Sequence, residues 1–237
     1  MSIEITLTNE IQSTLIRLGG LITSDLTPAS APPLIFEGYL LSLVLQAADL
    51  ENADIDYRDI NNRRPTRFVF RASPGYIAST TRPYTYATIA FPGKPILEAH
   101  VGVRVVGTTG VLHQCDIAVI KQEEADRCRR ESRPAQPGQS AYWVSPKQSE
   151  LILAVEAKFY DEADLDLDLA RSFIGLVSDI SRPSYHFVAS TSSNSVERLL
   201  TKKKKNWEHN IVPASTIEVT RLINAFQTTF RNFKTTY

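Results

Sequence analysis

Two cysteines, four histidines and a formal net charge of zero in 237 residues each narrow what the chain can be. Cys115 and Cys128 are too few for a disulfide framework, which predicts a reducing, cytoplasmic setting. With no CxxC pair and scattered histidines, the sequence argues against a structural zinc site. Zero net charge supplies no global field toward nucleic acid, so a polyanion would have to meet local patches. No apolar run approaches the roughly 20 residues a membrane helix needs. The first ten residues, MSIEITLTNE, carry acids and no basic stretch, which argues against a secretory signal.

What is present reads as an α/β protein. Residues 1–24 predict a helix with Ile11, Leu15, Ile16 and Leu18 as apolar positions, closed by Gly19-Gly20. Pro32-Pro33 opens a strongly apolar helix over 33–50. Strands are expected at 67–72 and 85–91. ILEAHVGVRVVG (96–107) alternates, with Val101, Val103 and Val105 on one face and His100, Gly102 and Arg104 on the other. The turn Gly107-Thr108-Thr109-Gly110 joins it to VLHQCDIAVIK (111–121) as a β-hairpin. Residues 122–149 are polar and rich in Arg, Pro and Gly, which predicts a short helix and a mobile loop. A strand at 150–160, an amphipathic helix at 164–180 and a strand in SYHFVAS follow. A short helix ending at KKKK, a strand at 210–213 and a helix at 215–233 complete the chain. No repeat or linker interrupts it, so one domain over 1–237 is expected, a mixed sheet flanked by helices.

Three carboxylates stand where charge is costly. In ILAVEAKFY (152–160), Glu156 and Lys158 share a strand face with Ile152 and Ala154, opposite Leu151, Leu153 and Val155. Helices on either side predict that both faces are covered. Burying a carboxylate there costs several kcal/mol unless it is paired or metal-bound. In HQCDIAVIK the only acid is Asp116. If its strand pairs with 150–160, Asp116 falls opposite or diagonal to Glu156, with Cβ atoms about 5–7 Å apart. Two carboxylates so placed repel, and one is forced to protonate unless a cation lies between them. A hard divalent cation, bound by carboxylate and backbone oxygens, meets that need. The third acid is Glu37. Ser42, Gln46 and Asp49 form a polar stripe on its helix, whereas Glu37 is followed on its own side by Leu40, Leu41 and Val44. Plainer readings exist: an internal Glu–Lys pair, and an acid complementing a helix dipole.

A helix glutamate, an aspartate on a hairpin strand, Glu-x-Lys on the next strand and then a helix: this order resembles the PD-(D/E)XK nuclease superfamily, with its restriction-endonuclease-like fold. The resemblance covers motif and element order over about residues 33–190. It departs at Cys115, where the name-giving motif has proline, and in the long connection between Asp116 and Glu156. It implies hydrolysis of phosphodiester bonds with Mg²⁺, for which Mn²⁺ substitutes. Asp116, Glu156, the carbonyl of Ala157 and Glu37 would hold the metal. Lys158 would contact the attacking water or the scissile phosphate. DNA is the substrate it suggests, cut internally, in prokaryotic defence, mobile elements or repair. No base-reading motif is evident, so specificity would come from a homodimer or a partner protein. The competing reading is a silent member of the fold, a binding or regulatory subunit.

Candidate phosphate contacts are Arg63, Arg64, Arg67 and Arg71, and the run Lys202, Lys203, Lys204 and Lys205 before Trp207. Arg171, on the polar side of its helix with Asp164, is another. Each reads otherwise as solvated surface. The acidic run at 161–168 lacks EF-hand spacing and suits a helix start. His113, His186 and His209 read as structural.

Overall fold

Ser2 starts helix α1 (Ile3–Gly19) by accepting from Ile5 N, and Gly20 ends it with φ 86°, a left-handed turn that glycine adopts without strain. Pro32 and Pro33 open α2 (Pro32–Asp49), as expected of prolines whose missing N–H groups would find no helical partner. The chain is described by a computed structural model at residues 2–20, 22–160, 165–181 and 183–236. Among the described residues no helix is long and apolar enough to cross a membrane.

A seven-stranded mixed sheet follows. It is built from β2 (Asp54–Asp59), β4 (Thr85–Ala90), β5 (Leu97–Val106), β6 (Leu112–Lys121), β7 (Leu151–Lys158), β8 (Ser184–Ala189) and β9 (Asn206–Glu208), in that spatial order. The pairs from β2 through β7 are antiparallel, and β7, β8 and β9 run parallel. Two short strands, β1 (Thr23–Ser24) and β3 (Arg67–Phe68), pair separately. One face packs on α1, α2 and α6 (Thr216–Thr236), through Leu15, Phe36, Val119, Val155 and Phe230 among others. The opposite face packs on α3 (Gln122–Glu131), α4 (Leu167–Asp179) and α5 (Asn194–Lys202), through Cys128, Phe173 and Leu200. Both faces are therefore covered, and the apolar strands are the consequence.

Several expectations change. The strand at 67–72 shrinks to Arg67–Phe68, because side chains take its backbone bonds: Val69 N donates to Thr85 Oγ1 and Phe70 N to Asp25 Oδ1. The strand at 210–213 gives way to β9 at Asn206–Glu208; Asn210 is left-handed (φ 52°) and Pro213 has no N–H to pair. Ser42 faces no solvent. It is buried and donates to Tyr39 O, and α2 is apolar on nearly every side. The acidic run lies partly outside the described residues, including Asp164, and α4 starts at Leu167 with Asp166 as its cap.

Strand faces switch twice. Gly102 adopts φ 63°, and Val101 packs with α2 while Val103 and Val105 join the opposite cluster. A bulge between Val119 and Ile120 sends Leu151 to the second cluster and sets Ile152 against the first. The segment after α3 is tied down: Arg133 and Tyr142 exchange backbone bonds of 2.7 and 2.9 Å, and Lys147 N donates to Glu124 Oε1.

Asp179 fixes the end of α4 to the β5–β6 turn. Its carboxylate accepts from Thr108 Oγ1, Thr109 N and Oγ1, and His113 Nε2, over 2.5–2.8 Å. The Thr108 hydroxyl, then His113 and Thr109, hold this carboxyl well below the usual range. A depressed carboxyl stabilises the fold above its unfolded value, about 3.9, and loses that contribution as pH falls. Asp179→Asn is expected to melt below wild type at pH 7, with the gap closing below about pH 4. An equal gap at pH 7 and pH 3 would refute a charge-based clamp.

Candidate active site

Pairing of Ile117 with Val155 and Ala118 with Ala154 brings the next residues, Asp116 and Glu156, face to face where β6 and β7 begin to part. Asp116 is 6% exposed. Its Oδ2 accepts from Ala157 N at 2.8 Å, and its Oδ1 from Gln114 Nε2 at 3.1 Å. Lys158 Nζ meets Glu156 Oε1 at 2.7 Å. The carbonyl of Lys158 accepts from Ser190 N, on the β8 side. Backbone groups alternate along a strand, so those of Ala157 face β6, which places its carbonyl on the side of Asp116.

These groups disturb one another. Burial raises the Asp116 carboxyl, opposed by the Ala157 amide, Lys158 and Gln114. Glu156 is raised by burial and then by Asp116, with Lys158 opposing. Glu37, reaching over from α2, is pushed up to about 8 by burial and by Asp116, with Glu156 adding and Lys158 opposing. Burial works against the charge on Lys158, but Glu156 and Asp116 outweigh it and its ammonium is favoured. Three carboxylates thus share one lysine. Glu37 makes no side-chain hydrogen bond among the described residues.

Two adjoining cavities open on the group. One, about 280 Å³, is lined by Asp116, Glu156, Lys158 and Gln114 and roofed by Ser172 and Phe173 of α4. The other, about 170 Å³, holds Glu37, Gly102 and again Gln114. A larger cavity of about 470 Å³, between α6 and the starts of β7 and β8, is lined by neutral groups such as Ser184, His186 and Thr228. Its described lining contains no aspartate, glutamate, lysine or arginine.

No family model, curated protein or solved structure matches this chain.

The donor set suits a small hard cation. Among the described residues no group of three or more histidine, cysteine, aspartate or glutamate side chains is placed to hold a metal ion. Mg²⁺ does not require one: it is usually held by one or two carboxylates, with waters and substrate phosphate completing the octahedron. Asp116 and Glu156 could supply two carboxylates and the Ala157 carbonyl a third oxygen, and Glu37 is an acid within electrostatic reach.

The basic residues fare differently. Arg63, Arg64 and Arg67 are exposed near the β2 edge, with Arg64 donating to Gly19 O. Lys202 ends α5 and Lys203 to Lys205 form the α5–β9 connection, at the opposite edge. The two patches are therefore not one surface. Trp207 stacks on His209 and donates to Thr201 Oγ1. Arg171 is exposed and paired with Asp168 at 2.6 Å. Arg71 is no surface contact: it is buried over the Tyr84 ring and donates to Tyr76 O.

Sequence reasoning missed Gln114 and Tyr185. Gln114 precedes Asp116 by two positions, the same-face spacing used for Glu156 and Lys158, so a signal was present. Tyr185, on β8, lies against Cys115 and Glu156, and no pattern in the sequence marks it.

Proposed function

We propose that this chain is a metal-dependent nuclease of the restriction-endonuclease-like class, hydrolysing phosphodiester bonds, with DNA as the substrate. The observation that carries this reading is the junction of β6 and β7. There Asp116 binds the Ala157 amide directly beside the Glu156–Lys158 pair. The succession of α2 with Glu37, the β5–β6 hairpin with Asp116, β7 with Glu156 and Lys158, then α4 and the parallel β8 supports it further.

Asp116, Glu156, the Ala157 carbonyl and Glu37 are the groups that would hold Mg²⁺. When bound, the ion supplies charge neutralisation at the phosphate and acidifies a coordinated water. Lys158, kept protonated by its neighbours, places a positive charge beside the reacting phosphate and orients the attacking water. Gln114 holds the Asp116 carboxylate in one rotamer by bonding its outer oxygen. Phe173 and Leu176 of α4 exclude bulk solvent from one side of the cavity. No serine, cysteine or histidine nucleophile is needed; Cys115 and Cys128 are buried and burial raises both thiols.

The test is cleavage of supercoiled plasmid and of linear single-stranded DNA with Mg²⁺, with Mn²⁺ and with EDTA. Nicking or degradation in either metal and none in EDTA is expected. Intact substrates in every condition, with no metal binding by calorimetry, would remove the nuclease reading and leave a silent subunit of similar design.

A further inference from the structure

We propose that Arg104, Tyr76 and Trp143 form a platform on which an unpaired base of the substrate stacks, so that the site takes single-stranded nucleic acid. The proposal builds on the nuclease reading of the neighbouring carboxylates. Arg104 on β5 is the cross-strand partner of Gln114, whose amide donates to Asp116. Residues paired this way project to one face with Cβ atoms about 5 Å apart. The platform therefore begins next to the candidate active site.

Its geometry is that of a stack left partly open. The Arg104 guanidinium carbon lies 5.1 Å from the centre of the Tyr76 ring, and Nη1 donates to Tyr76 Oη at 3.3 Å. Tyr76 stacks on Trp143 with centroids 5.9 Å apart and planes 16° apart. Tyr142, the next residue, is 62% exposed. Arg104 is exposed and forms no ion pair among the described residues, so its charge is open to a phosphate.

The rings are not needed to hold their segments. Gly75 N donates to Gly102 O and Arg104 N to Gly75 O, which fixes the Tyr76 segment to β5. Val106 N donates to Pro146 O and Lys147 N to Glu124, which fixes the Trp143 segment. Two half-buried aromatic rings and a guanidinium without a carboxylate partner among the described residues, beside the candidate phosphodiesterase site, match what single strands offer, exposed base faces and a phosphate every nucleotide. A duplex keeps those faces stacked internally. Aromatic stacking does not read the sugar, so the shared chemistry is an unpaired base on either backbone.

Trp143 reports directly. The chain has two tryptophans, and Trp207→Phe leaves only Trp143. Titration in EDTA with oligo(dT), oligo(rU), an abasic oligomer of equal length and a duplex separates binding from cleavage. Both single strands should quench Trp143, and the abasic strand should bind about tenfold more weakly or worse. Trp143→Ala and Tyr76→Ala, followed by anisotropy, should lose that preference, while Trp143→Phe keeps most of it and circular dichroism is unchanged. Equal affinity for abasic and base-bearing strands, tighter binding of duplex, or an undiminished preference in Trp143→Ala overturns the platform. Failure of the nuclease reading would appear separately, as quenching without cleavage by the wild type in Mg²⁺.

Discussion

Asp116→Ala and Lys158→Ala are each expected to lower metal-dependent cleavage by about 10²–10⁴-fold. The two effects differ in origin. Without Asp116, Glu156 is left as the one carboxylate at the strand junction and the Ala157 amide loses its partner. Without Lys158, Glu156 loses its 2.7 Å ion pair and the reacting phosphate loses the nearest positive charge. Activity loss by unfolding is the obvious confound, and Asp116→Asn separates the two. An asparagine oxygen can still accept from Ala157 N, while the repulsion among Asp116, Glu156 and Glu37 is relieved. Without added metal this variant should melt at or above the wild-type temperature and yet cleave as poorly as Asp116→Ala. Such a trade of stability for activity is common where like charges are gathered. Full activity in Asp116→Asn would mean the charge is not used, and the metal assignment would fall with it.

Glu37 and Asp116 were legible because each breaks a pattern that the rest of its element obeys. One acid among apolar helix positions and one in an apolar strand are both costly unless another group answers them. The pairing of β6 with β7 follows from the hairpin and the two alternating segments, and it places Asp116 opposite Glu156 as expected. Legibility stopped where local order did. The positive φ of Gly102 and the bulge at Val119–Ile120 reverse which face Val101 and Leu151 serve, and a strict alternation of two cannot foresee an extra half-step. Ser42 falls on the polar stripe of α2 and is buried all the same, because a hydroxyl can bond its own helix backbone. Arginine-rich sequence looked like surface at Arg71 because nothing local shows that Tyr84 and the Tyr76 carbonyl would receive its guanidinium.

The largest effect on stability is expected at Glu98, a fully buried carboxylate at the start of β5. Arg129 of α3 reaches it with both terminal nitrogens, at 2.9 and 2.6 Å, and His100 Nε2 lies 3.0 Å from Oε2. Burial raises Glu98, but His100 and Arg129 outweigh it and keep the carboxyl below its ordinary value. Burial shifts the His100 imidazole below its ordinary value, with Glu98 opposing, and its other ring nitrogen lies 3.3 Å from the Tyr84 hydroxyl. Glu98→Ala would leave the imidazole without its acceptor and Arg129 with Asp126 alone, at a cost of about 3–5 kcal/mol. Urea unfolding should show a lower midpoint at unchanged slope, and the folded fraction should cleave normally. A loss under about 1 kcal/mol would mean α3 is held by its apolar contacts alone. The contrast with the other buried acids is one of balance. Glu98 has a bidentate arginine that it shares with the half-exposed Asp126, whereas Asp116, Glu156 and Glu37 have Lys158 between them. A buried carboxylate bound by a bidentate arginine is accounted for as structure; three beside one ammonium shed their excess charge either by protonation, the direction in which the Glu37 carboxyl is pushed, or to a bound cation.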